Sequence, residues 1–284
     1  MKSIFLHIPK AGGTTIHSVI NRIYPKNSVF DMVIRNGKRN LQEFIDLPND
    51  EKQNLQILKG HFVFGLHQHF PEPNQVKYFT FLRNPASRII SQYSYILSRK
   101  DHYLYNPIIE NKMSLEDFAL SDLSIELDNG QVRLISGFNS QNVNETNKLH
   151  LEAAKQNIEK HFITVGFVER FNESLILLKE KMNWDNYPYY RHLNESKEKI
   201  KVEERVKEAI NNRNILDVQL YDWALKKFEE DKNQIQGFEN KIEILKQSIL
   251  AFQDGHLSGF NLSQKSFATR KSRLDKLFTL FKIK

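Results

Sequence analysis

The hydrophobic positions of this chain change period in a regular order. KSIFLHI, residues 2–8, is the near-continuous apolar run of a buried strand, and over 14–24 Ile16, Val19, Ile20 and Ile23 recur at helical spacing. NLQILKGHF predicts a second short strand at 56–60, and VKYFTFLR a third at 76–83, rich in β-forming residues. Asn84 and Pro85 then read as the N-cap and first residue of a helix running to about 99. FITVGFVERF supplies a further strand at 162–167, followed by a helix through 182. Strands alternating with helices predict an α/β fold built on a doubly wound parallel sheet, whose ligands sit at the carboxyl ends of the strands.

Beyond about 197 the pattern is helical, with one segment to about 211 and a longer one at 214–230. Phe238, Ile242, Leu245, Ile249 and Phe252 follow at spacings of 4, 3, 4 and 3, a short heptad seam. The seam suits two partners equally: the chain's own domain, or a second copy in a homodimer through 238–252. Residues 257–267 turn polar and contain Gly and Ser, as a linker does. The expected organisation is a main domain over 1–230 and a helical C-terminal extension over 231–284.

Composition narrows the function classes. The chain has 284 residues, 40% hydrophobic and 26% charged, enough for a sizeable core. It contains no cysteine, which excludes disulfides, a thiolate nucleophile and cysteine-ligated zinc. No run of about 18 apolar residues occurs and the first residues enter a strand without a leader pattern, so the expected location is cytoplasmic. The net charge is +7, but within 265–284 Lys265, Arg270, Lys271, Arg273, Lys276, Lys282 and Lys284 stand against Asp275 alone. The rest of the chain is therefore nearly neutral, which argues against a nucleic-acid surface. In that tail Leu274, Leu277, Phe278 and Phe281 share one helical face, a basic amphipathic pattern suited to peripheral membrane contact or to closure over the chain's own domain.

The candidate chemistry begins in IPKAGGTT, between the first strand and the first helix. Glycines admit a close approach, the helix start offers N–H groups and the positive end of its dipole, and Lys10, Thr14 and Thr15 add a cation and two hydroxyls. Lys10, Ala11, Gly12, Gly13, Thr14 and Thr15 thus form an anion cradle. It departs from the common nucleotide loop G-x-x-x-x-G-K-[ST] because its lysine precedes the glycines. A second cradle lies in LRNPASRIISQY, where Arg83 at the strand terminus and Ser91 two turns into the helix suit another phosphate. Arg88 reads either as a further contact or as an exposed residue.

HIPKAGGTT followed by FLRNPASRIISQY resembles the nucleotide loop and the 3′-phosphate motif of sulfotransferases, specifically the group of heparan and uronyl 2-O-sulfotransferases and their bacterial relatives. The resemblance continues through KGHFVFGLH, DNGQVRLISG, VGFVERFNESLILLKEKMNW and NILDVQLYDWALKKF, over about 1–230. It implies a P-loop-like, three-layer α/β/α fold with a central, mainly parallel sheet, 3′-phosphoadenosine 5′-phosphosulfate (PAPS) as donor and 3′-phosphoadenosine 5′-phosphate (PAP) as product. In that frame the first cradle holds the 5′-phosphosulfate and Arg83 with Ser91 the 3′-phosphate. Lys10 meets the leaving oxygen, where charge builds in a loose transition state. The resemblance also makes His61, in KGHF, the base for the acceptor hydroxyl, a task that suits a histidine pKa; without it His61 reads as a structural histidine.

The implied reaction is sulfuryl transfer to a hydroxyl, on a saccharide or glycan. An NTP-dependent kinase is disfavoured by the displaced lysine and by the lack of an acidic metal-holding motif; a non-catalytic nucleotide-binding or scaffold protein of the same fold is the other alternative. No metal is expected, since His67 and His69 are set among apolar residues without carboxylates. His7 is expected to brace the loop from the strand. Polar segments 38–54 and 100–111 are expected as irregular insertions beside the cleft, with Arg99, His102, Tyr103, Tyr93, Tyr95 and Tyr105 available to a sugar ring. The family places DNGQVRLISG as a helix near the cleft, which directs Asn129, Gln131 and Arg133 toward nucleotide or acceptor.

Overall fold

In the computed structural model, which describes residues 1–35, 38–191 and 201–253, the main sheet is parallel throughout. Its strands are β1 (Lys2–Leu6), β2 (Val29–Met32), β3 (Ile57–Gly60), β4 (Val76–Leu82) and β5 (Phe162–Phe167), in the spatial order β2-β3-β1-β4-β5. The longer helices are α1 (Gly13–Ile23), α2 (Pro85–Leu97), α3 (Gly130–Ser136), α4 (Lys148–His161), α5 (Phe171–Met182), α6 (Glu204–Arg213), α7 (Ile215–Asn233) and α8 (Phe238–Gln253).

Alternation along the strands sorts the core into two layers. Ile4, Leu6, Leu58 and Tyr78 point to one face, covered by Val132 and Ile135 of α3, Leu151 and Ala154 of α4, and Leu220 and Phe228 of α7. Phe5, Ile57, Phe79 and Phe81 point to the other, covered by Ile16 and Val19 of α1, Leu175 and Leu178 of α5, and Leu245 of α8. With both faces buried, β1 and β4 must be apolar at nearly every position, which is why their runs stand out in the sequence. The result is the expected three-layer α/β/α arrangement.

Several expectations need correction. Phe238, Ile242, Leu245 and Ile249 of the seam are buried in the same core as α1 and α5, so the chain's own domain covers them and they are not available to a second copy. The boundary at 230 falls within α7, and α8 beyond it packs on α5. Segment 38–54 is not irregular: it folds as helices Leu41–Ile45 and Asn49–Asn54, with Phe44 fully buried and the Lys52 ammonium donating to the Ile45 carbonyl at 2.7 Å. Segment 100–111 contains the helix Tyr105–Glu110, anchored by buried Leu104 and Ile108. β2 escaped the periodicity because VFDM is short and lies at the sheet edge with Asp31 exposed. The linker at 257–267 and the basic tail at 265–284 lie outside the described residues. Among the described residues no helix is long and apolar enough to cross a membrane.

Candidate active site

β1 lies between β3 and β4, so the chain connections run to opposite sides of it, and the switch opens a crevice at its carboxyl end. The loops that follow β1, β3 and β4 converge there. Lys10 and Gly12 both adopt left-handed backbone (φ 64° and 76°), turning the chain into α1 without a side-chain cap. The first bond into the helix runs from the Ile16 N–H to the Gly12 carbonyl at 3.3 Å, so the N–H groups of Gly13, Thr14 and Thr15 precede the helical ladder and are offered at its N-terminus. Ala11 departs from expectation: its methyl is in the core and its N–H donates to the Ile8 carbonyl, so it shapes the loop and does not face a ligand.

Arg83 ties the two cradles together, its Nη1 donating to the Lys10 carbonyl at 3.1 Å. Its backbone is clamped by the Gln131 carboxamide, which accepts from the Arg83 N–H at 3.0 Å and donates to the Arg83 carbonyl at 2.9 Å. Gln131 is fixed in turn by Asp217 of α7, whose carboxylate accepts from the N–H groups of Gln131 (3.1 Å) and Val132 (2.8 Å) at the start of α3. Burial pushes the Asp217 carboxyl up, opposed by the Arg88 charge and by those amides. The Arg83 Nε is buried with no acceptor among the described residues, at a cost of about 1–3 kcal/mol that a bound anion would relieve. Arg88 is not exposed; it is 1% accessible and donates to the Glu126 carbonyl at 2.5 Å.

Ser91 is half-buried on α2, one turn before Tyr95, over whose ring the Lys10 ammonium sits 3.8 Å from the centroid. Burial, and then the Arg83 charge, pull the Lys10 ammonium down to about 8, against an opposing pull from Glu126. His102 leans edge-on against Tyr95 and stacks on exposed Tyr103, forming an aromatic rim beside Lys10. Arg99 is exposed and paired with Asp101 through two bonds of 2.9 Å. Tyr93 donates to the Met113 carbonyl and Tyr105 packs in the cluster beneath α2. Arg133 contradicts its expected role. It is 3% accessible, ion-paired with Asp128 at 3.2 Å and hydrogen-bonded to the carbonyls of Ser140 and Asn142, so it is buried and braces a loop. Asn129 is buried as well, accepting from the Leu216 and Asp217 N–H groups that open α7.

On the far side of β1, His7 continues the ladder by donating its N–H to the Gly60 carbonyl. The His61 Nδ1 is 2.8 Å from the His7 carbonyl. A carbonyl only accepts, so Nδ1 carries a proton, and in the neutral ring the lone pair is then on Nε2, the tautomer a base requires. The two rings stack with centroids 4.0 Å apart. Beside them opens a cleft of about 310 Å³ lined by His7, His17, Asp31, Met32, Val33, Gly60 and His61. His7 does brace the loop: a Cβ on Gly13 would fall 1.6 Å from its Nε2, so only glycine fits beneath the ring.

Three residues here were not anticipated. The Lys59 ammonium, its side chain 1% accessible, lies 2.7 Å from the Asp31 carboxylate and 3.0 Å from the His17 Nδ1, and the His17 Nε2 lies 3.1 Å from the His7 Nδ1. A lysine within the buried run ILKG was the signal, since such a charge requires a partner. His67, by contrast, engages the Tyr78 hydroxyl through its Nδ1 at 3.1 Å, away from His61.

Residues 2–236 match the sequence signature of the sulfotransferase family. The chain is 23% identical over 223 residues to human galactose-3-O-sulfotransferase 2, which covers 72% of this chain and 54% of that protein. It thus spans about half the length of that curated relative. It also shows a likeness to the crystal structure of mouse sulfotransferase SULT7A1 complexed with PAP, with a TM-score of 0.37 and 14% identity over 75% of this chain and 66% of that one, too slight to argue from. The signature takes in both cradles, His61 and nearly all of the parallel sheet's supporting helices, and on that extent the chain belongs to the sulfotransferase family.

Proposed function

We propose that the protein transfers a sulfuryl group from PAPS to a hydroxyl of a saccharide. The observation that carries this reading is the Arg83 bond to the Lys10 carbonyl, which sets two anion cradles side by side at one end of β1 while His61 stands on the other side of that strand. PAPS bears anionic groups at two separate places on one nucleoside, whereas ATP bears them at one. The residues present fit that shape: the orphaned Arg83 Nε and Ser91 would hold the 3′-phosphate, and Lys10 with the amides of Gly12, Gly13, Thr14 and Thr15 the 5′ end. When bound, the donor supplies an activated sulfuryl group.

The chain's own residues then have defined tasks. His61 takes the hydroxyl proton at Nε2, and the His7 carbonyl stabilises the resulting imidazolium through Nδ1–H. Lys10, held down to about 8 by burial and the Arg83 charge, is kept protonated by a bound anion and stabilises charge on the leaving oxygen. The saccharide acceptor is supported by the galactose sulfotransferase relative, and the finer heparan and uronyl 2-O grouping by the quoted motifs alone. Calorimetry with PAP and with ATP, each with and without magnesium, tests the donor; a preference for ATP refutes it. Labelled PAPS with a glycan panel then tests the transfer.

A further inference from the structure

We propose that Asp31, Lys59 and His17 are positioning residues which fix the tautomer of His7 beneath His61, leaving one basic imidazole at the acceptor cleft. The proposal rests on the reading of His61 as the base.

The tautomers follow from donor and acceptor roles alone. An ammonium only donates, and Lys59 meets two acceptors, the Asp31 carboxylate at 2.7 Å and the His17 Nδ1 at 3.0 Å. The His17 Nδ1 therefore carries a lone pair and its proton resides on Nε2. That Nε2–H points 3.1 Å to the His7 Nδ1, which must accept, so the His7 proton lies on its own Nε2, above Gly13. A polarity that begins at the sheet edge is thus handed across β3 and α1 to β1. The main-chain register makes this possible, because Asp31 and Lys59 are direct partners in the β2–β3 pair and Phe5 is the partner of Lys59 in β1.

Charge sharpens the consequence. The groups facing His17 are His7 after β1, Lys59 from β3, Asp31 from β2 and His61 beyond β3; those facing His7 are His61, His17, Lys10 and Lys59. Burial first, and then these mostly cationic neighbours, hold His17 down to about 4 and His7 well below the ordinary histidine value, with Asp31 opposing at His17. Both rings therefore stay neutral where His61 works. The imidazolium formed at His61 during turnover stacks on a neutral ring. Were His7 or His17 to titrate in the same range, the coupled charges would lower the basicity of His61.

The test uses ¹⁵N-labelled full-length protein and long-range ¹H–¹⁵N spectra from about pH 5.5 to 8, the range in which an unperturbed histidine titrates. His7 and His17 are expected as neutral Nε2–H tautomers throughout; Nδ1–H on either overturns the proposal, with no variant needed. In Lys59→Met, His17 should begin to titrate. Transfer from PAPS to an accepted saccharide should lose about tenfold or more in kcat, with the donor KM within about twofold and a new ionisation on the acid limb of the pH profile. An unchanged pH profile in a folded variant also overturns it. Tautomers as assigned without any turnover would refute the function and leave the chain standing; turnover with Nδ1–H on His7 would do the reverse.

Discussion

The two sides of β1 are built by different means. On the donor side the critical groups are held through main chain: Arg83 by both its N–H and its carbonyl, Lys10 by its carbonyl, and Gln131 by amides that Asp217 caps. On the base side the His61 ring rests on the His7 carbonyl, and the rest of the linkage runs side chain to side chain, from Asp31 through Lys59 and His17 to the His7 ring. Charge divides likewise. The donor side gathers Lys10, Arg83 and Arg88 near Glu126, Glu169 and Asp217 and leaves guanidinium nitrogens unsatisfied among the described residues, whereas the base side pairs the buried Lys59 ammonium internally. A site that waits for an anion keeps spare cationic capacity; a site that must hold a proton balance spends it.

The comparison breaks most sharply at His61. His61→Ala should reduce kcat by about 10²–10⁴-fold and leave PAP affinity in calorimetry intact, and retained turnover would remove the base side from the chemistry. Arg83→Ala should do the opposite, weakening PAP by about 1.5–3 kcal/mol while the histidine spectra stay as they were; joint loss would show that the two sides are not separable. The third effect is in pH. An anion favours protonated Lys10, which burial and Arg83 hold down to about 8, so PAP affinity should be level below pH 8 and fall above it by up to about tenfold per unit. Lys10→Arg should abolish that fall. The smallest effect is on stability. His17 is held at about 4 in the folded chain against an ordinary 6.5, so the unfolded chain binds more protons between these values. Its contribution is fully present above 6.5 and lost as pH falls toward 4. Denaturant midpoints at about pH 7.5 and 5 should show less loss in His17→Gln than in the parent.

The donor side was legible in sequence because its residues are contiguous. Residues 10–15 and 83–91 each span the turn and helix start of one strand–turn–helix, and spacing along contiguous chain is what sequence displays. Even there the roles of Gln131 and Asp217 were hidden, since a buried carboxamide clamping a distant backbone leaves no periodic trace. The base side brings together α1 and three strands joined by parallel pairing, and nothing local announces that Asp31 and Lys59 are register partners. Arg133 misled for the reverse reason: a polar residue in a motif near the cleft reads as a contact, yet its partner Asp128 lies only one turn away and both are buried. The 238–252 seam carried its period faithfully but not the identity of the surface it meets.

Gly13 gives the displaced lysine a cause. In the common nucleotide loop the residue between the last glycine and the hydroxyl is the lysine, which corresponds here to Gly13, between Gly12 and Thr14. The space any side chain would need at that point is taken by the His7 ring. A histidine at the end of the first strand and a lysine at the start of the helix are thus mutually exclusive occupants of one volume. Grafting the usual lysine into position 13 would evict His7, so the two loop designs cannot interconvert by single replacements.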